Sequence, residues 1–309
     1  MWYYDRPYEG ERDLMDMCRL IADLNRGEGG SMDWTIGRVV DWRYGLWNPA
    51  KLDDAWFGRH CRVWYDRPGR LAGFALTEDG RGDFAFFARP QYAFLYADQI
   101  AWAEAALGPG LEDGGKLSVT VADGDAARRS ALLKAGYEDL GHGETTALYA
   151  AADFRLDGGS ALPAGYQILG MDDFSDHDAQ TELKNDAFRD GAPMDSVRAH
   201  AFKYVKRSPI YDPSMDLVLV DSSGLAISGC EGFIDYENGV VELERVCTRR
   251  GYRGKGYAGA VIRACAARAL SRGARFAQIS GLNENTIRLY GSFGPHRAIE
   301  RSDYAKAIS

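Results

Sequence analysis

A chain of 309 residues is long for one domain and suggests about two; with 46% hydrophobic and 27% charged residues it carries enough apolar material for a real core. A net charge of −8 excludes a nucleic-acid backbone as the main partner, because phosphate binding needs a basic face. The five cysteines, odd in number and without a CxxC pair, exclude a disulfide framework and a zinc site, and the five histidines show no metal spacing. Neither a signal core nor about 20 consecutive apolar residues occurs, so a cytoplasmic protein with no membrane partner is expected.

In chain order, "RVWYDRPGRLAGFALTED" (62–79) predicts a hairpin, "GDFAFFARP" (82–90) a strand and "YAFLYADQIAWAEAAL" (92–107) a helix. "KLSVTVADGD" (116–125) predicts a strand, "AARRSALLKAGYED" (126–139) a helix and "ETTALYAA" (144–151) a strand. The stretch "RLDGGSALPAG" (155–165) breaks every periodicity and reads as a linker between domains 1–157 and 158–309. Beyond it, 178–191 and 194–207 have helical spacing, and 215–235 reads as two strands joined by a Ser-Ser-Gly turn. "GVVELERVCT" (239–248) is a β-rich strand, followed by a glycine loop and a helix from about Tyr257 to Ser271, stopped at Gly273. A strand (274–280), a short helix (283–294) and a final strand region (296–309) close the chain. Element order on the two sides of the linker repeats, with "LLKAGYED" and "LYGSFGPH" corresponding, so a duplicated domain is expected.

All seven tryptophans lie between Trp2 and Trp102. The stretch 33–57 is dense in Trp, Tyr and Asp; filling a core is the favoured role, an aromatic wall for a cationic amine the other.

The glycine loop carries the chemistry. "RRGYRGKGYAGAVI" (249–262) places glycines at 251, 254, 256 and 259, ahead of a helix. "GKGYAG" satisfies G-x-G-x-x-G, but no Asp or Glu falls between Glu244 and Glu284 to hold a ribose, and too little chain follows for a second half-sheet, so a dinucleotide fold is disfavoured. A nucleoside-triphosphate loop fails as well, because Tyr257 stands where its lysine belongs. What remains is a strand, a bare loop and a helix start that turn unpaired N–H groups and a positive helix end toward one point. Gly254, Gly256 and Ala258 leave room there, and Arg253 and Lys255 add charge: a cradle for a pyrophosphate.

The run "RGKGYA" (253–258) resembles the Arg/Gln-x-x-Gly-x-Gly/Ala signature of the GNAT (GCN5-related) N-acetyltransferases. The preceding "VELERVCTRRGY" resembles that family's splayed fourth strand, and "NENTIRLYGSFG" its Asn-to-Tyr helix, with Asn283 and Tyr290 at the matching positions and Gly294-Pro295 in place of the usual Gly-Phe. The resemblance implies an α+β chain of two tandem GNAT-like domains, each a mixed, mostly antiparallel twisted sheet flanked by helices. The first copy is degenerate: it has no glycine from Asp83 to Leu107, and Phe94 and Tyr96 are expected to fill the cradle's place. The implied reaction is acetyl transfer from acetyl-CoA, as co-substrate and without a metal, to the amine of a small molecule by direct attack. The implied cofactor contacts are Val246, Cys247, Thr248, Arg253, Gly254, Lys255, Gly256, Tyr257, Ala258 and Asn283. Strand alternation puts Glu242, Glu244, Val246 and Thr248 on one face, which makes Glu244 the candidate general base and Glu242 the second choice. Tyr290 is the candidate acid for the leaving thiolate, and Cys247 reads as a small buried hydrophobe rather than a nucleophile. A non-catalytic acyl-CoA sensor, or a transferase for another acyl donor, is the alternative; a monomer or a homodimer is expected.

Overall fold

The computed structural model describes residues 2–27, 33–45, 48–111, 115–150, 154, 156, 161–189, 192–195, 199, 201, 203–281, 284–295 and 297–308. The chain divides into two compact units. The first comprises Met1–Arg43, Asn48–Thr145 and Ile299–Ser309, and the second Tyr44–Trp47 and Thr146–Ala298. This differs from the boundary expected at 157/158, and the cause is the placing of two strands described below.

In the first unit, β1 (Tyr3–Pro7), α1 (Glu11–Leu24), α2 (Ile36–Tyr44) and α3 (Ala55–His60) precede the expected hairpin of β2 (Cys61–Asp66) and β3 (Leu71–Leu76). With β4 (Ala85–Ala88) these strands form an antiparallel sheet in the order β1-β2-β3-β4. Residues of β3 and β4 are buried on both faces, which is why "LAGFAL" and "AFFA" read as unbroken apolar runs rather than alternating ones. Helix α4 (Tyr96–Leu107) lays Tyr96, Ile100, Ala103 and Leu107, one helical stripe, on Trp64, Ala72 and Phe86. β5 (Lys116–Ala122), α5 (Ala126–Lys134) and β6 (Glu138–Ala150) follow. Gly136, just past α5, takes φ 86° and closes the helix with the Tyr137 N–H on the Leu132 carbonyl at 3.0 Å. Trp34, Trp42 and Trp56 are buried, so the aromatic stretch 33–57 is core where it is described, not an open wall.

The strand that completes this unit's second sheet comes from the far end of the chain. β12 (Arg297–Ala307) lies between β5 and β6, antiparallel to β5 from Arg301–Ala122 to Ala307–Lys116. Tyr304 is fully buried in the α4 core, and Arg301 meets the buried Asp33 carboxylate at 2.9 Å beside Arg128. The last residues of β6, from Thr146, in turn belong to the second unit, where they run antiparallel to β11 (Phe276–Ser280). The chain's last strand thus belongs to the first unit, and only the end of β6 to the second.

The second unit contains β7 (Gln167–Gly170), α6 (Met171–Phe174), α7 (His177–Phe188), β8 (Asp216–Val220), β9 (Ala226–Asp235), β10 (Val240–Thr248), α8 (Tyr257–Ser271), β11 and α9 (Glu284–Gly291). The expected helix at 194–207 lies partly outside the described residues; its end is a 3-10 turn, Val205–Arg207. The sheet order is β6-β11-β10-β9-β8-β7, antiparallel at each of these neighbours except the parallel pair β10–β11. Helix α8 packs Val261, Ile262, Cys265, Ala266 and Ala269 on Leu217, Cys230, Val241 and Leu243 from one side. Helix α7 covers the other, with Leu183 against Val218 and Cys247. Among the described residues no helix is long and apolar enough to cross a membrane.

One carboxyl pair in the first unit yields a pH prediction. Asp83 accepts from the Thr77 hydroxyl at 2.9 Å and the Glu78 N–H at 2.5 Å. Burial, then the hydrogen bond shared with Asp79, pushes its carboxyl up to about 7, while that bond holds Asp79 below the ordinary carboxylate range. The folded chain therefore keeps a proton that the unfolded chain releases near pH 4. This contribution to stability is fully present below pH 4 and is lost as pH rises to about 7. We expect Asp83→Asn to remove a decline on the order of 1 kcal/mol per pH unit between pH 5 and 7; urea unfolding of both proteins across that range measures it, and equal slopes would contradict it.

Candidate active site

The site starts where two strands part. β10 runs beside β9 along its length, but it pairs with β11 only at Val240–Phe276, Val241–Ala277 and Glu242–Gln278. Past that point the parallel partner is gone and the β11 side of β10 opens into a cleft. The β9 side is irregular as well. Glu244 stands opposite Glu231 and Cys247 opposite Gly229, so one extra residue is inserted in β10. It is a bulge, with Arg245 at φ 48°.

The bulge corrects the face assignment made by simple alternation. An extra residue reverses which side chains look which way. Glu244 and Cys247 stay on the α7 face, opposite Glu231 and Gly229, and Cys247 packs with Leu183. Val246 turns to the α8 core, and Thr248, two residues on, shares its side. Glu242 and Glu244 therefore do not share a face with Val246 and Thr248.

After β10 a short 3-10 turn, Arg250–Tyr252, leads into the glycine loop. Gly254 (φ 76°) and Gly256 (φ 84°) lie in the left-handed region, and a Cβ built on either meets nothing within 4 Å. Gly256 caps α8, and the first helix-type bond runs from Ala260 N to its carbonyl at 3.1 Å. The N–H groups of Gly256, Tyr257, Ala258 and Gly259 precede that bond and have no partner inside the helix. They line open space at the positive end of a 15-residue helix.

The charges around the loop divide their work. Arg250 is held by Asp186, its N–H at 2.8 Å. The Arg253 guanidinium donates to the Ala187 carbonyl at 2.7 Å, tying the loop to the end of α7. Lys255 lies 5.1 Å from the Tyr252 ring centre, and Tyr252 donates to Asp221 at 2.9 Å.

Strand fork, loop and α9 enclose a cleft of about 780 Å³. Of the sequence-derived residues, Val246, Cys247, Thr248, Arg253, Gly254, Gly256, Tyr257, Ala258 and Tyr290 line it, and so do Phe188, Asn285, Thr286 and Leu289, which the sequence reading did not single out. Lys255 and Glu244 stand outside that lining, and Asn283 lies outside the described residues. Tyr290 is 7% exposed, with the Tyr149 hydroxyl on its carbonyl at 2.7 Å. Burial raises its phenol above the ordinary value, and the charges of Cys230 and Glu244 add to the rise, so it carries its proton at neutral pH. Burial likewise pushes the Cys247 thiol up to about 12, the opposite of what a nucleophile needs.

At the matching junction of the first unit the geometry is different. A 3-10 turn, Pro90–Leu95, runs straight into α4, and the Tyr96 N–H is taken by the Ala93 carbonyl. Tyr96 does not fill a cradle, as expected of it, but packs into the core against Phe86; Phe94 is half exposed beside Tyr3 and Tyr92.

Residues 178–294 match the model of the acetyltransferase (GNAT) family. No curated protein matches the sequence. Among solved structures, a GCN5-related N-acetyltransferase from Sphaerobacter thermophilus is similar at 20% identity over 99% of this chain and 96% of its own, with a TM-score of 0.58. A tandem GNAT protein from the clavulanic acid biosynthesis pathway is similar at 14% identity over 100% and 99%, TM-score 0.62. A GNAT-family acetyltransferase from Colwellia psychrerythraea is similar at 13% identity over 98% and 100%, TM-score 0.58. At such identities the likeness shows the fold: two tandem GNAT-like domains.

Because a Cβ at 254 or 256 meets no atom, only the backbone conformation opposes a side chain there. Gly254→Ala and Gly256→Ala should each cost about 1–2 kcal/mol in chemical denaturation; no loss at either position would contradict the left-handed geometry.

Proposed function

We propose that this chain, whose residues 178–294 match the acetyltransferase (GNAT) family model, transfers an acetyl group from acetyl-CoA to the amine of a small molecule. Acyl transfer is the chemistry of the family; the donor and the acceptor are this reading's own. One observation carries it: the open amides at the start of α8 and the proton-bearing Tyr290 line the same cleft, at the point where β10 leaves β11.

The residues fit the parts of acetyl-CoA. The N–H groups of 256–259 and the bare backbone at Gly254 suit the diphosphate. Lys255 supplies charge at the rim, and Arg253 acts by fixing the loop to α7. The main chain at Val246 and Thr248, which line the cleft, is assigned to the amide groups of the pantetheine arm, with Cys247 contributing backbone only. Asn283 enters by the family resemblance alone.

In the chemical step the amine must be uncharged. Glu244, on the α7 face of β10 and outside the cleft lining, takes a proton from the amine through water as the nitrogen attacks the acetyl carbonyl; the C–N bond forms and the C–S bond breaks. Tyr290, holding its proton because burial disfavours the phenolate, delivers it to the departing sulfur. No acyl-enzyme is required, in keeping with the raised Cys247 thiol.

Calorimetry with acetyl-CoA tests the cradle: the wild type binds, and Gly256→Glu, which puts a carboxylate where the diphosphate belongs, abolishes binding. Equal affinity would overturn the assignment. Coenzyme A release against an amine library tests the reaction, and tight binding without turnover on any amine would point to a sensor instead. On an amine that turns over, Tyr290→Phe should slow kcat by about 10²-fold or more while leaving acetyl-CoA affinity within a factor of a few; full turnover would remove Tyr290 as the acid.

A further inference from the structure

Arg245 stands where a chain normally places glycine. In a bulge whose first residue is left-handed, glycine is the usual occupant because it has no Cβ to clash. Here φ is 48° on an arginine in the middle of a strand. A non-glycine residue persists in that region only when its surroundings over-determine it, and the surroundings are specific. The guanidinium of Arg245 is buried against the carboxylate of Glu231, and the other oxygen of Glu231 is buried against the ammonium of Lys184, their side chains 7%, 3% and 3% exposed. Lys184 comes from α7, Glu231 from β9 and Arg245 from β10, so one carboxylate joins three elements.

The Glu231 backbone is itself fixed on both sides, opposite Asp216 in β8 and opposite Glu244 in β10. Asp216 is held by Gln180 of α7 at 2.6 Å and by the Tyr211 hydroxyl at 2.8 Å. The row of carboxylates across the sheet is thus locked to the helix above it, and Arg245 reaches that row only by leaving the extended conformation.

We propose that Arg245 is a positioning residue: its buried pair with Glu231, backed by Lys184, holds the β10 bulge and so decides which side chains of β10 face the cleft. This rests on the acyl-CoA reading above for what the cleft holds. Without the extra residue, alternation from Leu243 would turn Cys247 toward the α8 side and take Val246 and Thr248 away from it. The binding edge of β10 is therefore set from the opposite face of the sheet, by charges that do not line the cleft.

Two substitutions at one position test this, because both delete the same guanidinium and differ only in the backbone they allow. Glu231 keeps Lys184 in each, so no carboxylate is stranded. Arg245→Ala should weaken acetyl-CoA binding by about tenfold, the size of the left-handed penalty expressed as a ratio. Arg245→Gly should recover most of that loss. Beside calorimetry, the backbone scalar coupling at residue 245 reads φ without any ligand: left-handed in the wild type and Arg245→Gly, extended in Arg245→Ala. Unchanged affinity with a left-handed φ in Arg245→Ala would overturn the proposal, as would equal losses in both variants. If the wild type itself does not bind acetyl-CoA, the functional reading fails, and the coupling at residue 245 still decides whether the buried pair holds the bulge.

Discussion

A buried or half-buried backbone N–H needs a partner, and the start of a helix leaves a set of them with none of their own. At the start of α4 the preceding 3-10 turn supplies one, through the Ala93 carbonyl. At the start of α8 nothing in the helix does, and two left-handed glycines keep side chains out of the space the amides face. The rest of the second unit is arranged around that opening: the parting of β10 from β11 widens it, the clamp of Arg250 and Arg253 on the end of α7 fixes its rim, and Tyr290 closes its inner end. The two junctions occupy equivalent places in the order of elements, strand then helix then strand, so the contrast between them is one of local backbone and not of fold.

The chemistry at this opening depends on residues that hold their natural charge state for different physical reasons. Tyr290 stays protonated because burial removes the water that would stabilise a phenolate, which suits a proton donor. Cys247, buried on the α7 face, is kept a thiol by the same effect and so stays out of the reaction. Lys184, Glu231 and Arg245 are charged and buried together, an arrangement that is costly to break and that tolerates only one geometry. They spend that rigidity on the shape of β10.

Much of this was legible in the residues. The loop "RGKGYA", its strand and its helix were readable because glycine at 254 and 256 and the helical stripe from Tyr257 are local signals, and the repeat glycines Gly136 and Gly294 both take positive φ past a helix. What was not legible is what depends on distant partners. The bulge was invisible because an arginine, not a glycine, occupies it, and its cause, Glu231 with Lys184, lies 47 positions apart in sequence. Period-two alternation therefore misassigned Val246 and Thr248. The placing of β12 in the first unit was equally hidden: its pattern specifies a strand and a buried face, not which sheet receives it. The opening helices α1 to α3 carry no cue as strong as Trp34, Trp42 and Trp56 among them, which are core.

A crystal structure of the protein with acetyl-CoA tests the central claim most directly. The account places the diphosphate oxygens within hydrogen-bonding reach of the main-chain N–H groups of residues 256–259 and the sulfur beside the Tyr290 hydroxyl. A ligand seated elsewhere, or those amides turned to protein groups while the ligand is bound, would contradict it.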